Sequence, residues 1–149
     1  MVTYSKIVAS TTYTIDVKTD WLSTDTINFG DFNRLEDNII ILRNFIIAIS
    51  YSIPSITSET GRTKTFLEYL SSINRIESNL QTIRNNSFTP SGYGGAVTWT
   101  LGLGFDSSQA NRLENNVLSL FLAGGSVFDS FIYSGQVNAG YTRGDIPLV

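Results

Sequence analysis

The sequence predicts a mainly α protein with some β structure, arranged as a three-helix bundle with extended or β-hairpin segments at both ends. Three observations lead to this prediction. A six-residue pattern, Asn-Arg-apolar-Glu-x-Asn, occurs three times, at 33–38, 74–79 and 111–116. The copies begin 41 and 37 residues apart, a spacing typical of repeated supersecondary units. Apolar residues around each copy recur at helical spacing, whereas residues 13–18 alternate as in a half-buried strand.

We expect the 149 residues to form a single domain, 1–149, because a chain of this length can bury a substantial core. Within it we expect an N-terminal strand or arm over 1–24, a helical body over 25–123 and a C-terminal arm over 124–149. The C-terminal arm has short aromatic clusters separated by glycine and small polar residues, which favours an extended conformation or a hairpin.

The first helix is predicted to begin near Phe29, since Asn28 is a good N-cap residue and Asp31 stands three positions later, in a box-like arrangement. It should end by about Ser50, because Pro54 is disfavoured inside a helix.

The second helix is predicted from Phe66 to Arg84, with a capping box between Thr65 and Glu68. The third is predicted to begin near Ser107, after Asp106 as N-cap, and to stop at Gly124-Gly125. Between these two helices, the segment 96–103 is predicted to form a short strand that carries Trp99.

The polar residues of each copy flank an apolar stripe. Arg and Glu are two residues apart in each copy, so they point about 200° from each other and cannot pair within their own helix. We therefore predict that the Arg of one copy pairs with the Glu or Asn of another copy or of a neighbouring subunit. The last Asn of each copy is expected to bind a backbone carbonyl or a cap, because Asn has only middling helix propensity.

Trp21 and Trp99 each stand twelve residues before the first Asn of their copy, where the middle copy has Arg62. We expect both Trp side chains to pack in the core. The structural or interface residues predicted from these patterns are Trp21, Asn33, Arg34, Glu36, Asn38, Asn74, Arg75, Glu77, Asn79, Trp99, Asn111, Arg112, Glu114 and Asn116.

The alternative is that these charges are solvated on three similar surface helices, where an exposed ion pair contributes about 0 to 1 kcal/mol. The two hypotheses differ in the effect of Arg75→Ala, which should cost about 3 to 5 kcal/mol if the pairs are buried.

The first helix is apolar on nearly all sides over 39–49, which is typical of a helix that is buried all round. Two explanations are open. Another copy of the chain covers the helix, or the terminal strands cover it within the monomer.

Composition narrows the classes of function. The chain has no Cys and no His, which excludes disulfides and thiolate sites and removes the usual general base and the commonest metal ligand. No cofactor or metal site is predicted.

The net charge of −3 and the scattered Lys and Arg residues argue against nucleic acid as a partner. The apolar stretch 39–53 is interrupted by Arg43 and Asn44 and falls short of the roughly 20 residues that span a bilayer, so no membrane partner is expected.

The segment from Trp21 through Asp31-Phe32-Asn33-Arg34-Leu35-Glu36-Asp37-Asn38 resembles a segment of structural proteins of tailed bacteriophages of Gram-positive hosts, especially tail, baseplate and fibre-adaptor proteins. The resemblance covers residues 21–50 and, around the third copy, 97–123. It implies a virion component that is assembled in the host cytoplasm together with other virion proteins. It brings no catalytic residues with it.

We therefore expect a non-enzymatic virion structural protein, a tail, baseplate or fibre-adaptor component that forms a symmetric homo-oligomer. The alternative is a module at the tail tip that binds host cell-surface glycan through Trp21, Trp99 and Tyr93. The remaining enzyme hypothesis is glycoside cleavage by paired carboxylates among Asp16, Asp20 and Asp25, whose spacing matches no recognisable pattern.

Overall fold

The computed structural model describes residues 1–65 and 70–142, and side chains through Phe131. The described residues form two strands and three helices, so the predicted class, mainly α with some β, is confirmed. In chain order the elements are β1 (Val2–Val8), β2 (Thr11–Val17), α1 (Phe29–Ala48), α2 (Leu70–Asn85) and α3 (Ser107–Thr142).

Strands β1 and β2 form an antiparallel hairpin in which Val2 is opposite Val17 and Val8 is opposite Thr11. The two-residue turn has positive φ at Ala9 and Ser10, as type I′ hairpins require. A two-stranded hairpin is only marginally stable by itself, and here one of its faces packs on the helices.

The hairpin covers much of α1. Ile15 and Val17 lie in the same buried cluster as α1, and the Tyr13 and Phe45 rings are 5.7 Å apart between centroids. Along α1, Ile39, Leu42, Phe45 and Ile46 are fully buried, whereas Ile47 is 38 % exposed. The N-terminal strands therefore cover the apolar helix within the chain, which was the second of the two explanations.

The predicted helix starts at Phe29 and Ser107 are confirmed. The Asn28 side chain accepts a hydrogen bond from the Gly30 amide, and the Asp31 carboxylate accepts one from the Asn28 amide. Asp106 accepts hydrogen bonds from the amides of Ser108 and Gln109. The predicted start of the second helix at Phe66 and its capping partner Glu68 lie outside the described residues.

The prediction that the third helix stops at Gly124-Gly125 is wrong, since α3 continues to Thr142. A Cβ on Gly124 would lie 2.8 Å from Phe45 Cε1 and 2.9 Å from Ile46 Cδ1, so the glycine lets α3 approach α1 closely. This packing offsets the roughly 1 kcal/mol that glycine costs inside a helix. The predicted extended arm over 124–149 is therefore helical as far as Thr142, and 143–149 lie outside the described residues.

The predicted strand over 96–103 is also wrong, because no residue of this segment is in a strand. The backbone N–H and C=O of Trp99 are hydrogen-bonded to the Asn74 side chain of α2 and not to a neighbouring strand. Among the described residues, no helix is both long enough and apolar enough to cross a bilayer.

Candidate functional site: the polar ring between the repeat copies

The three copies of the repeat meet in a set of ion pairs that we call the polar ring. In each pair the Arg of one helix contacts the Glu of another: Arg34 with Glu114, Arg75 with Glu36, and Arg112 with Glu77. The Arg Nη2 to Glu Oε1 distance is 2.7 Å in the first pair and 2.6 Å in the second. The predicted pairing between copies is therefore present, and it lies within one chain.

The carboxylates of the polar ring are removed from solvent. Glu36, Glu114 and Glu77 are 0 %, 2 % and 4 % exposed. The guanidinium side chains are more accessible, at 15 % for Arg34 and 25 % for Arg75. The hypothesis of solvated charges is therefore wrong, because a buried carboxylate must be paired or hydrogen-bonded.

The first Asn of each copy binds the backbone of a residue near the start of another unit. The side-chain amide of Asn33 donates to the Arg62 carbonyl at 3.0 Å and accepts from the Arg62 amide at 3.1 Å. The same two-bond contact joins Asn74 to Trp99 and Asn111 to Trp21. The side chain of each Asn thereby binds both the backbone N–H and the backbone C=O of one residue, as a neighbouring strand would do in a sheet.

The last Asn of each copy binds a backbone carbonyl, as predicted, and in all three copies that carbonyl lies 22 residues earlier. Asn38 accepts from the Asp16 amide at 3.0 Å and donates to the Asp16 carbonyl, and Asn116 makes the same two bonds to Gly94. Asn79 donates to the Thr57 carbonyl at 2.6 Å. These three side chains are at most 5 % exposed, so the bonds replace water for buried amides.

These contacts define three docking segments, which are residues 16–21, 57–62 and 94–99. Each docking segment is held at its start by the last Asn of the helix that follows it. It is held at its end by the first Asn of a different helix. Each segment therefore joins two helices, and the three segments and three helices close a ring with pseudo-threefold symmetry.

The residue at the end of each docking segment also reaches a ring carboxylate with its side chain. Trp99 Nε1 donates to Glu77 at 3.0 Å, and Arg62 Nη2 donates to Glu36 at 2.8 Å. The Trp21 indole stands beside Glu114, whose pKa is raised by burial, and it is the weakest of the groups that oppose this shift. A Trp and an Arg can occupy the same place because both present an N–H group at the end of a long flat side chain.

The corner between α1 and α3 differs from the other two. Within the described part of the chain, Trp21 Nε1, Arg34 Nη2 and Glu114 Oε2 are buried without an aligned hydrogen bond, although the ion pair itself is close. Burial raises the pKa of Glu114 above its ordinary value, and Arg34 acts against this shift. This corner is the least completely satisfied part of the polar ring.

Several residues that bind the repeat side chains were not predicted from the sequence in that role. Arg62 was assigned the place of a Trp but no partner, Thr57 and Gly94 were not singled out, and Asp16 was considered only as a carboxylate for glycoside cleavage. Position 94 has no room for a side chain, since a Cβ there would lie 2.7 Å from Arg112 Cγ. The constant distance of 22 residues from the last Asn of each copy was a signal that could have identified Asp16, Thr57 and Gly94.

The prediction that Trp21, Trp99 and Tyr93 form an exposed aromatic surface for glycan binding is wrong. Trp21 is 6 % and Trp99 is 3 % exposed, and both belong to the buried interior. Tyr93 is also largely covered, and burial raises its pKa to about 12. The two Trp residues therefore hold docking segments in place and do not present flat faces to solvent.

Two of the carboxylates considered for glycoside cleavage lie beside one lysine. Lys18 Nζ is 2.9 Å from Asp25 and 3.7 Å from Asp20, and the bond from Lys18 lowers the pKa of Asp25. The third, Asp16, accepts a hydrogen bond from the Thr3 hydroxyl. The described residues contain no cluster of three or more acidic side chains that could hold a metal ion.

No family model, curated protein or solved structure matches this chain.

Proposed function

We propose that this chain is a non-enzymatic structural protein of a tailed bacteriophage virion. In this proposal it is a component of the tail, the baseplate or a fibre adaptor, and it assembles with copies of itself and with other virion proteins. The sequence resemblance of residues 21–50 and 97–123 supports the class of protein. No substrate or cofactor enters the proposal.

One structural observation supports the building-block role above all. The Asn, Arg and Glu side chains of all three copies bind other helices or docking segments. Groups that are already bound and mostly buried serve to fix relative positions. A pseudo-threefold body of this kind suits an assembly in which the subunit must keep its shape while its ends contact neighbours.

The glycan-binding alternative is not carried forward, because the two Trp residues on which it depended are buried.

The proposal is tested on purified phage particles. Mass spectrometry should find the chain in particles, and gold-labelled antibodies should place it on the tail in electron micrographs. A chain that is made in infected cells but is absent from washed particles would contradict the proposal.

Complementation provides a second readout with a matched control. Phage that lack the gene should regain tails when supplied with the wild-type chain or with Asn115→Ala, since Asn115 is exposed and its side chain donates to Asn111 of its own helix. Asn111→Ala removes the contact to Trp21 and should reduce the yield of assembled tails. Equal yields from both variants would show that the polar ring has no bearing on assembly.

A further inference from the structure

Among the residues that the structure describes, no strand pairs with the outer edge of β1. In an antiparallel pair, opposite residues alternately exchange both backbone hydrogen bonds or direct both groups away from each other. Asp16 directs its N–H and C=O to Asn38, so the pair of Thr3 and Asp16 is one that exchanges no backbone bonds. By this alternation, Thr3, Ser5 and Ile7 direct their N–H and C=O groups off the free edge.

Strands β1 and β2 differ in how their outer edges are treated. On β2, Asn38 closes the edge at Asp16. On β1, within residues 1–65 and 70–142, none of the outward groups of Thr3, Ser5 and Ile7 has a partner. An unpaired edge of this kind is a template for pairing with another strand, and proteins usually block it with proline or an outward charge. Strand β1 contains no proline, and the charge of its lysine, Lys6, is bound by Asp129 of α3.

We propose that the open edge of β1 pairs with β1 of a second copy of this chain, antiparallel and centred on Ser5. In this register Thr3 lies opposite Ile7 of the other copy, and Ser5 lies opposite its own counterpart. All outward groups of the three residues are then paired on both strands, through six hydrogen bonds across a twofold axis. The two hairpins become one four-stranded sheet.

The charges on β1 suit a second copy. Lys6 is its only charged residue, and its Nζ is bound 2.7 Å from Asp129 of α3 in the same chain. In the proposed register Lys6 lies opposite Tyr4 of the partner, so the two lysines do not face each other. Because like charges directly opposite destabilise a strand pair, their separation favours self-pairing in this register.

A groove beside the same edge adds area to the interface. It has a volume of about 290 Å³ and runs between β1 and α3, where Tyr4, Ser5 and Lys6 face Leu122 and Gly125. Leu122 is 48 % exposed, and Val2 at the start of the strand is 53 % exposed. A stable interface buries about 1,200 to 2,000 Å² in total, so apolar area beside the paired strands contributes to it.

The absence of cysteine from the chain makes a single introduced thiol a clean probe. Opposite residues that exchange both hydrogen bonds have Cα atoms about 5.5 Å apart, which suits a disulfide. Ser5→Cys should form a disulfide-linked dimer under mild oxidation. The control Thr12→Cys, exposed on β2 of the same hairpin, should cross-link several-fold less. Equal cross-linking of the two variants would overturn the proposal.

Charge substitutions at the twofold give an independent test. Ser5→Lys or Ser5→Glu alone should raise the dimer dissociation constant at least about tenfold, since like charges then face each other. Mixing the two variants should restore a dimer of twice the chain mass of 16.4 kDa. Sedimentation that finds wild-type chain monomeric at high concentration, or either single variant dimeric like wild type, would overturn the proposal.

This inference rests on the proposed function in one respect, which is that the chain assembles with copies of itself. The two can fail separately. A monomeric wild-type chain that is present in virions would remove only the β1 interface. A dimer of the predicted register that is absent from particles would remove only the virion role.

Discussion

Arg75 of α2 lies 2.6 Å from Glu36 of α1, and the equivalent contact recurs at the other two corners of the bundle. Since the Arg and the Glu of one helix point in nearly opposite directions, each helix binds a different neighbour with each of them. The order of contacts is therefore cyclic, and the third pair closes the ring.

Removal of Arg75 tests whether the buried pairs stabilise the fold. Arg75→Ala leaves Glu36 fully buried with Arg62 still bound, so we expect a loss of about 3 kcal/mol, the lower end for breaking a buried pair. The measurement is the free energy of unfolding in a denaturant titration. Arg84→Ala is the control, since Arg84 lies on the same helix and bonds the neighbouring Asn85 at the surface. It should cost about 1 kcal/mol or less, and equal losses would contradict the role of the ring.

The amide of Asn111 should be needed to hold the first docking segment. Asn111→Ala removes two hydrogen bonds to the Trp21 backbone, of 2.8 and 2.9 Å, and we expect a loss of about 1 to 3 kcal/mol. The Trp21 amide should also exchange its hydrogen faster, as mass spectrometry of peptides can show. In Asn115→Ala both quantities should stay near wild type, because Asn115 is exposed. Unchanged protection of Trp21 in Asn111→Ala is the result that contradicts this prediction.

Two adjacent glycines should respond differently to alanine. In Gly94→Ala the new Cβ lies 2.7 Å from Arg112 Cγ and 3.4 Å from Asn116 Oδ1, so the ring must shift at a cost of about 1 to 3 kcal/mol. In Gly95→Ala nothing lies within 4 Å of the new atom. The free energy of unfolding of this variant should equal that of wild type or exceed it by about 0.5 kcal/mol, because alanine lowers the conformational entropy of the unfolded chain. Thermal unfolding of both variants checks the difference, and a harmless Gly94→Ala would show that the docking segment moves freely.

Glu114 should make stability depend on pH in an unusual direction. Burial raises its pKa in the folded chain, so the folded state binds more protons than the unfolded state between the ordinary and the raised value. Stability from this group therefore falls as pH rises through that interval. In Glu114→Gln this contribution is absent, as denaturant midpoints from about pH 4 to pH 8 should reveal.

Asp106 provides the opposite case for comparison. The hydrogen bond from the Ser108 hydroxyl lowers the pKa of Asp106, so its stabilising contribution is lost as pH falls through the lowered value. Asp106→Asn should remove a contribution that makes the free energy of unfolding rise with pH, whereas the contribution of Glu114 makes it fall. If Glu114→Gln and wild type show the same pH profile, the carboxyl at that corner does not titrate differently on folding.

Much of the fold could be predicted because its signals are local. The starts of α1 and α3 follow from Asn28 and Asp106, whose side chains bind amides two or three residues away. The alternation of Tyr13, Ile15 and Val17 predicted β2 for the same reason. The end of α3 could not be predicted, because Gly124 does not end the helix. It is glycine because the helix packs closely against Phe45 of α1, a contact that is distant in sequence.

The Asn, Arg and Glu residues of the candidate site could be predicted from the repeat, but the residues that they contact could not. Helical geometry alone required Arg34 and Glu36 to find partners on other elements. It did not say which ones, and it did not distinguish another copy in the chain from another subunit. The docking segments escaped prediction as well, because helix side chains, and not a neighbouring strand, satisfy the backbone of Trp99.

By itself the sequence determined three helices, the N-caps of α1 and α3, and the direction in which each Arg and Glu must point, because these depend on contacts within a few residues. The tertiary structure alone decided the cyclic order of the ion pairs and the closure of the first docking segment on α3. Those features join residues as far as 90 positions apart, and only the packing of all three helices at once brings such residues within hydrogen-bond distance.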